Sequence, residues 1–354
     1  MYLISDKLRL RVLMISLILF AFLAINLIGR VQGQRNETFQ SQLKKALSYY
    51  WDMKKDQAEN MADSLFRISQ TKQDTIDVYS VLSAVSYSKG ERYFRQAEEY
   101  LRRIVEVDPK SCQVPKEYWP DKLKRVWYKY QDSLGVLAEP CGEGSPGIQT
   151  IAVLDFDNTS IADHEKLEPL GVGLSYSFLT DFKKITKLRI VERAKINYVI
   201  EELERGKTGY FDQKMAARIG KQVGAHTIVF GSFMKLDPKH MRIDARVIKT
   251  ETGEVLVAES EEGGPNDFFK LEKNLVSKIA EALNITLEKK EKEGIQLGGT
   301  KSLDAVTLYS QGLKYQDQFD YKTAYKYYEK ALAKDPNYED AKEKMEILKP
   351  LMGP

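Results

Sequence analysis

The sequence has few of the residues that usually build a catalytic or metal centre. It holds only three histidines and two cysteines in 354 residues, and His164, His226 and His240 lack the spacing of metal ligands. Basic and acidic residues nearly balance, with a net charge of +3, so the composition gives no sign of a nucleic-acid partner. We therefore expect no metal, no cofactor and no nucleic acid.

Long apolar runs are also scarce, and the one present lies near the N-terminus. Val12 to Ile28 is broken only by Ser16 and Asn26, follows basic residues and precedes small residues that end at Gly33. This arrangement predicts a secretory signal peptide over residues 1–33. An uncleaved membrane anchor stays open, because a spanning helix needs about 20 apolar residues and this run is only slightly shorter. Either way we expect an exported chain in the periplasmic space bounded by the outer membrane, with membrane contact at most through this segment.

The two cysteines, Cys112 and Cys141, flank a short region that contains two tryptophans. In an exported protein an even number of cysteines permits a disulfide. We predict a Cys112–Cys141 bridge, and two unpaired thiols are the alternative.

Residues 37–134 have the periodicity of helices. Ala97, Leu101 and Ile104 share one helix face, at the spacing of three and four residues that helices require. Small and bulky faces that alternate between neighbouring helices are typical of stacked helical hairpins. We predict a helical domain similar to tetratricopeptide repeats, followed by a proline- and glycine-rich linker over residues 135–147.

Residues 148–287 change to short apolar runs of strand type separated by helical periods. The expected strands are 150–156, 188–191, 226–234, 241–248 and 254–258. Thr252 and Gly253 form a natural turn, so the last two strands should make an antiparallel hairpin. Helices between the early strands and a hairpin at the end predict an α/β domain with a mixed sheet.

The clearest repeat lies at residues 302–348, after a charged stretch at 288–301 that we interpret as a linker. The positions that match a single tetratricopeptide repeat are Leu308, Gly312, Tyr315, Ala324, Tyr328, Ala331 and Pro336. A lone repeat leaves an apolar face open, since about three repeats are needed for independent stability. The α/β domain, the N-terminal helices or another chain must therefore cover it.

Several stretches of the α/β region match one family in their order and spacing. These stretches are Ile151–Phe156, Arg189–Arg193, Gly206–Gly209, Ala216–Gly220, Val223–Ser232 and Thr252–Leu256. They resemble the CsgG/HfaB family and, more loosely, the N-terminal domain of TolB. The resemblance covers well under half the chain, and it implies an envelope location and a role in assembly.

The resemblance does not extend to the membrane part of the family's secretion channel. That channel subunit sends two amphipathic hairpins into a membrane barrel, whose strands need about 9–11 residues each. Here the turn between Leu236 and Met241 has only four residues, Asp237 to His240, and the family's lipidated cysteine is absent. We therefore expect the chain to resemble the soluble part of that subunit.

The first strand ends in a motif that permits a second hypothesis. Residues Leu154–Thr159 resemble the first motif of haloacid-dehalogenase-type phosphatases, in which Asp155 would attack phosphorus and Asp157 would act as acid and base. The acidic pair that holds Mg²⁺ at the end of a later parallel strand has no good counterpart. We therefore favour no enzymatic activity and keep the phosphatase as an alternative.

The sequence as a whole predicts an α/β domain of mixed sheet flanked by all-α repeat segments. Repeat surfaces of this kind bind peptides or helices in a concave groove. We expect a non-catalytic periplasmic scaffold that binds protein partners through its repeat helices. A ring-forming subunit of a secretion or surface-assembly apparatus is the alternative, so a homo-oligomer stays open.

Overall fold

A computed structural model describes residues 37–111, 113–139, 148–204, 212–297 and 299–352. The predicted signal peptide, Cys112, Cys141 and the stretch Gly206–Gly209 lie outside these ranges. Within these ranges no helix is long and apolar enough to cross a bilayer. The architecture is mixed α/β, with one six-stranded sheet and many helices, and this confirms the predicted fold class at that level.

Between residues 37 and 139, the described part of the N-terminal region contains five α-helices. They are α1 (37–51), α2 (Lys55–Leu65), α3 (Lys72–Ser88), α4 (Phe94–Val107) and α5 (Asp121–Ser133). Helix α3 begins at a capping box, in which Thr71 and Asp74 each accept a backbone N–H from the other, and this satisfies donors that the first turn leaves free. The buried face of α4 consists of Ala97, Leu101 and Ile104, as the periodicity predicts.

The sheet combines parallel and antiparallel pairing. Its strands are β1 (Gln149–Val153), β2 (Asp157–Asn158), β3 (Leu188–Ile190), β4 (Thr227–Lys235), β5 (Met241–Lys249) and β6 (Val255–Gly263). The order is β3-β1-β4-β5-β6, and β2 also pairs with β4. Strand β1 pairs in parallel with β3 and β4, and β2 pairs in parallel with β4, whereas β5 pairs antiparallel with β4 and β6. The predicted hairpin is therefore present.

Strand β6 is longer than the sequence predicts. The expected strand ends at Ala258, but the pairing with β5 continues to Gly263. The continuation is polar, and at one position it is held by charge, since Arg242 lies opposite Glu262 and forms an ion pair with it at 3.0 Å. Hydrophobic alternation cannot reveal this part of the strand, because residues 259–263 contain no apolar side chain and the pattern depends on apolar residues at every second position.

Five helices cover the two faces of the sheet. They are α6 (His164–Leu167), α7 (Leu170–Phe182), α8 (Arg193–Glu204), α9 (Gln213–Val223) and α10 (Phe268–Ala282). Helices α7 and α10 share a core with Val153 and Val229 on one face. Helices α8 and α9 share a second core with Ala152 and Ile228 on the other face. Neighbouring strand residues thus point to opposite faces, as strand geometry requires.

The C-terminal region contains four helices. They are α11 (Lys289–Gln296), α12 (Leu303–Asp317), α13 (Tyr321–Lys334) and α14 (Glu339–Leu348). Helix α11 lies within the stretch interpreted as a linker, and this is a correction to the view of 288–301 as a plain connector. Ile295 is fully buried, and Glu291 accepts hydrogen bonds from the N–H and hydroxyl of Thr186, both at 2.8 Å. The charged composition of this stretch gave no sign of a helix. Helix α11 packs against the rest of the chain through one apolar residue, Ile295, and one carboxylate, that of Glu291.

The helices in which we predict a repeat, α12 and α13, pack against other parts of the same chain. Helix α12 packs so closely on α7 that a Cβ on Gly173 would lie 1.8 Å from Oγ of Ser310. The core on the α7 and α10 side of the sheet continues without a break into Tyr309, Leu313 and Tyr328. The core on the other side continues into the N-terminal helices. The sheet therefore lies between two helical regions and shares a core with each.

Candidate functional site

The three regions of the chain meet around one cleft. Two adjoining cavities, of about 330 Å³ and about 150 Å³, lie between α5, α7, the start of α8 and α14. Both are lined by Asp121, Lys124, Lys183, Glu192, Glu343 and Lys344. We call this space the junction cleft. It is the place where side chains from the N-terminal helices, the α/β region and the C-terminal helices face each other.

Arg193 holds the inner wall of the junction cleft. It is the first residue of α8 and only 7% exposed. Its Nη1 and Nη2 donate to the two carboxylate oxygens of Asp155 at 2.5 and 2.9 Å. Its Nη2 and Nε also donate to Oδ2 of Asp317 at 2.8 and 3.2 Å. One guanidinium thus joins the end of β1 to the end of α12, in the fork geometry that suits arginine.

The charged groups of this network shift one another's pKa values. Burial by itself would raise the pKa of Asp155, but the charge and hydrogen bonds of Arg193 hold that pKa below its ordinary value. For Asp317 burial prevails, and its pKa is raised although Arg193 opposes the shift. Ser175 contributes as well, because its hydroxyl donates to Asp155 at 2.6 Å. Asp155 is therefore a fixed carboxylate with both oxygens engaged.

An aromatic ring separates Arg193 from a lysine of the C-terminal helices. The ring of Tyr176 lies 4.8 Å from the guanidinium carbon of Arg193 and 4.6 Å from Nζ of Lys344, so both cations contact its π face. Burial lowers the pKa of Lys344, although Asp121 opposes that shift. Lys344 therefore projects into the cleft with less hydration than a surface lysine.

Helix α5 is tied to the same wall by a second ion pair. Lys124 donates to Oε1 of Glu192 at 2.6 Å, and the hydroxyl of Tyr128 donates to the other oxygen at 2.7 Å. Burial would lower the pKa of Lys124, but Glu192 and Asp121 raise it above its ordinary value. The N-terminal helices are thus fixed against the start of α8 by charge-assisted hydrogen bonds.

The outer part of the cleft is more apolar. Trp51, Tyr118, Trp119, Ile347 and Leu351 contribute to its lining. The indole of Trp119 is 1% exposed and donates to the carbonyl of Ser80 at 2.9 Å, so this aromatic wall is rigid. A ligand in the junction cleft would meet apolar rings at one end and buried cations at the other.

The two aspartates of the phosphatase-like motif do not share a cavity. Asp155 is bound to Arg193, whereas Asp157 lines a different cavity of about 480 Å³ over β4, β5 and β6, beside Ser232 and Arg242. Burial, together with Glu168 and Asp155, raises the pKa of Asp157 to about 6. In the described part of the chain, no three His, Cys, Asp or Glu side chains are grouped to hold a metal ion.

The residues of the repeat pattern lie together in the α12–α13 hairpin and serve its packing. The ring of Tyr328 is fully buried against Gly312, where an added Cβ would lie 2.4 Å from it. Its hydroxyl donates to Gln316 at 2.7 Å, while Pro336 follows Asp335, the C-cap residue of α13. Ala324 and Ala331 are buried, and Leu308 and Tyr315 pack at the edge of the core.

Sequence reasoning missed most residues of the junction cleft. Arg193 was noted only as the end of a family-like stretch, and Lys344 and Asp317 carried no motif. Their pairings join residues 38 and 124 positions apart, so no local spacing could reveal them. The start of α8 also contains Lys195 and Asn197, so its composition does not mark Arg193 as a buried residue, although a buried arginine needs partners.

Comparison with known proteins gives only distant similarities. No family model matches the chain. Over 258 residues the chain is 24% identical to a Rhizobium meliloti (strain 1021) protein named "Putative adenylate cyclase 3", covering 70% of this chain. The chain spans only 41% of the length of that relative. The C-terminal domain of LpoB from Escherichia coli matches 34% of this chain and 86% of that domain, with 13% identity and a TM-score of 0.24.

These similarities leave the family open. A TM-score of 0.24 carries no argument about fold or function, and the sequence relative is aligned over less than half its own length. Neither comparison shows the CsgG/HfaB family. That resemblance therefore stays a prediction.

Proposed function

We propose that this chain is a non-catalytic scaffold of the cell envelope that binds a segment of a protein partner in the junction cleft. The observation that carries the proposal is the convergence of three regions on one cleft with rigid aromatic and charged walls. Concave sites that combine apolar walls with a few fixed polar groups are typical binding sites. In this reading the α/β region is a CsgG-like domain, and α12 and α13 form one tetratricopeptide repeat.

The element order supports the finer fold proposal. Parallel strands come first, helices cross between them, and the antiparallel hairpin comes last, which is the order that the family-like stretches imply. The close contact of Gly312 with Tyr328 is of the kind that a tetratricopeptide hairpin needs. Both assignments rest on these similarities of pattern.

The phosphatase hypothesis is weakened by the state of Asp155. A nucleophilic carboxylate needs a free oxygen aimed at the substrate, but both oxygens of Asp155 accept hydrogen bonds from Arg193. We expect no Mg²⁺-dependent hydrolysis of phosphate esters by the purified chain. Turnover that disappears in the Asp155→Asn variant would contradict the scaffold proposal.

A ring or other homo-oligomer is favoured by one feature, the free edge of the sheet. Strand β6 ends the sheet, and it exposes Val255 and Leu256, at 43% and 41%. Unpaired edge strands can add a strand from another chain. Light scattering coupled to size-exclusion chromatography tests this: a discrete high-order species supports the ring, and a monomer across a wide concentration range removes it.

The scaffold proposal is tested by photo-crosslinking from α14. A photoreactive residue replaces Lys344, which lines the cleft, and in a control replaces Glu346, which is exposed on the same helix. In cells that express the protein naturally, we expect one adduct of defined mass from position 344 and none from position 346. Equal labelling from both positions, or no adduct from either, contradicts partner binding in the cleft.

The envelope location needs its own test. Residues 1–40 are fused to a reporter enzyme that is active only after export, and a second fusion replaces Leu17 and Leu19 by arginine. We expect activity from the first fusion and none from the second, because charges in the apolar run prevent recognition as a signal. Equal activity in both fusions would contradict the predicted export.

A further inference from the structure

A further cavity lies among the turns of the N-terminal helices. It measures about 570 Å³ and opens between the α1–α2 turn and the α3–α4 turn. Its lining residues are Met53, Lys54, Lys55, Asp56, Gln57, Lys89, Arg92 and Tyr93. We call it the basic pocket, because four of these residues are cations and only Asp56 is an anion.

Two of the cations are held in place by the fold. Lys89 is 13% exposed and donates to Asp56 at 2.8 Å and to Glu59 at 2.6 Å, so it bridges α3 to α2. Lys55 donates from Nζ to the carbonyl of Ser88 at 2.5 Å. These hydrogen bonds hold two ammonium groups on one wall of the pocket, so the two lysine side chains are already ordered before a ligand binds.

Of the cations that line the pocket, Lys54 forms an exposed ion pair with Asp52 at 3.3 Å, whereas the charges of Lys55 and Arg92 are not neutralised within the described ranges. Among the described residues neither Lys55 nor Arg92 has a carboxylate within ion-pair distance, and Arg92 instead stacks over the ring of Tyr93 at 4.9 Å. The pKa of Lys55 is lowered by burial and by the charge of Lys89. Neighbouring cations that oppose each other's charge are stabilised by an anion placed between them.

We propose that the basic pocket binds a phosphate group. Arginine and lysine together suit phosphate, because the guanidinium fork donates two parallel hydrogen bonds and the ammonium adds a point charge. The same chemistry is offered by a free phosphate anion and by the headgroup of an anionic phospholipid. The pocket is distinct from the junction cleft and does not depend on the scaffold proposal.

The experiment compares the full chain with two double variants of equal charge. Lys54→Gln with Arg92→Gln removes two exposed cations from the pocket, and neither bridges helices. Lys129→Gln with Arg218→Gln removes two exposed cations elsewhere. Circular dichroism confirms that all three proteins are folded, and every comparison is made at one ionic strength because such contacts are screened by salt.

The first arm measures binding of inorganic phosphate by titration calorimetry. We expect the pocket variant to bind about tenfold more weakly, since each lost charge-assisted hydrogen bond is strong, and the control variant to bind like the parent. The second arm measures flotation with phosphatidylcholine vesicles, with and without added phosphatidylglycerol. The gain from phosphatidylglycerol is compared between variants, so that any insertion of the N-terminal segment cancels.

The two arms distinguish the source of the phosphate. Binding of inorganic phosphate that weakens only in the pocket variant supports a free anion as ligand. A phosphatidylglycerol-dependent gain that is lost only in the pocket variant supports a lipid headgroup. The proposal is overturned if neither probe binds, or if the pocket variant and the control variant behave alike.

Discussion

At the scale of single residues, Arg193 joins the sheet to the C-terminal helices. Its guanidinium faces Asp155 after β1 and Asp317 at the end of α12. Burying charges costs solvation, and the pair regains that cost only through close geometry and full hydrogen bonding. The network therefore contributes modestly as a whole, yet removal of one member leaves the others buried and uncompensated.

This asymmetry predicts the effect of removing Arg193. We expect Arg193→Ala to lower the free energy of unfolding by about 3 kcal/mol, the lower end of the usual cost of breaking a buried pair, because Asp155 is partly exposed. The measurement is urea unfolding followed by circular dichroism. The exposed Arg218→Ala serves as control and should change stability by less than about 0.5 kcal/mol. Equal losses in the two variants would show that the network has no special role.

A buried carboxyl on α10 gives stability a dependence on pH. Glu272 of α10 is fully buried, and neither of its carboxylate oxygens has a hydrogen-bond partner within the described residues. Burial, then the charge of Asp181, raises its pKa well above the ordinary 4.5, although Lys273 opposes the shift. The folded state therefore keeps this proton to a higher pH than the unfolded state does.

The sign of the pH effect follows from that proton. Where the folded state binds more protons, stability falls as pH rises. The stabilisation by protonated Glu272 is complete below pH 4.5, the ordinary pKa, and is lost as the pH rises through the raised folded pKa. We expect Glu272→Gln to be less sensitive to pH than the parent in this window, in unfolding curves recorded at several pH values. Glu281→Gln, exposed on the same helix, should follow the parent, and a Glu272→Gln curve parallel to the parent's would refute the assignment.

At the scale of elements, the close approach of helices in the C-terminal region depends on glycines, which have no side chain at the contact. Gly312 faces the ring of Tyr328, and Gly173 faces Ser310, at distances that leave no room for a Cβ. Tyr328 cannot move aside easily, because it is fully buried and its hydroxyl is bonded to Gln316. Each glycine thus fixes how closely two helices approach.

A pair of glycine-to-alanine substitutions separates this packing effect from helix propensity. Alanine in place of a helical glycine gains about 1 kcal/mol where there is room. At Gly294 in α11 an added Cβ would lie 3.7 Å from its nearest neighbour, so we expect Gly294→Ala to be neutral or stabilising. At Gly312 overpacking should prevail, and Gly312→Ala should cost about 1–3 kcal/mol. Thermal and urea unfolding provide the comparison, and a gain in stability at both sites would contradict the predicted close packing of α12 and α13.

At the scale of the whole molecule, the helical regions and the sheet share their cores. The N-terminal helices pack with the α8 and α9 side of the sheet, and the C-terminal helices pack with the α7 and α10 side. The two helical regions also touch each other, because Gln316 donates to Asp121 at 2.7 Å and the hydroxyl of Tyr321 accepts from the N–H of Lys122 at 3.1 Å. Unfolding of one region alone would therefore expose a core that it shares with another region.

We therefore expect one cooperative unfolding transition. The chain has three tryptophans, Trp51, Trp119 and Trp127, and all lie in the N-terminal region. Tryptophan fluorescence reports that region, whereas far-UV circular dichroism reports the whole chain. Coincident urea curves from the two probes would show that the chain unfolds as one cooperative unit. A fluorescence transition at lower urea concentration would instead show that the N-terminal helices unfold as an independent domain.

The sequence by itself determined the type and position of most elements. Apolar spacing of three and four residues marked α4, and short apolar runs marked β1, β4 and β5. These signals are local, because each depends on which side of one element avoids water. The repeat pattern likewise indicated that an apolar face needed a cover.

Only the tertiary structure decided what each face contacts. Periodicity does not show which element packs against an apolar face. The packing of α12 against α7 and the contacts of α11 through Ile295 and Glu291 could therefore not be predicted from the sequence. The junction cleft was hidden for the same reason, since Arg193 and its carboxylates are far apart in the chain. Long-range ion pairs depend on how elements are brought together, and a spacing rule within one element carries no information about that.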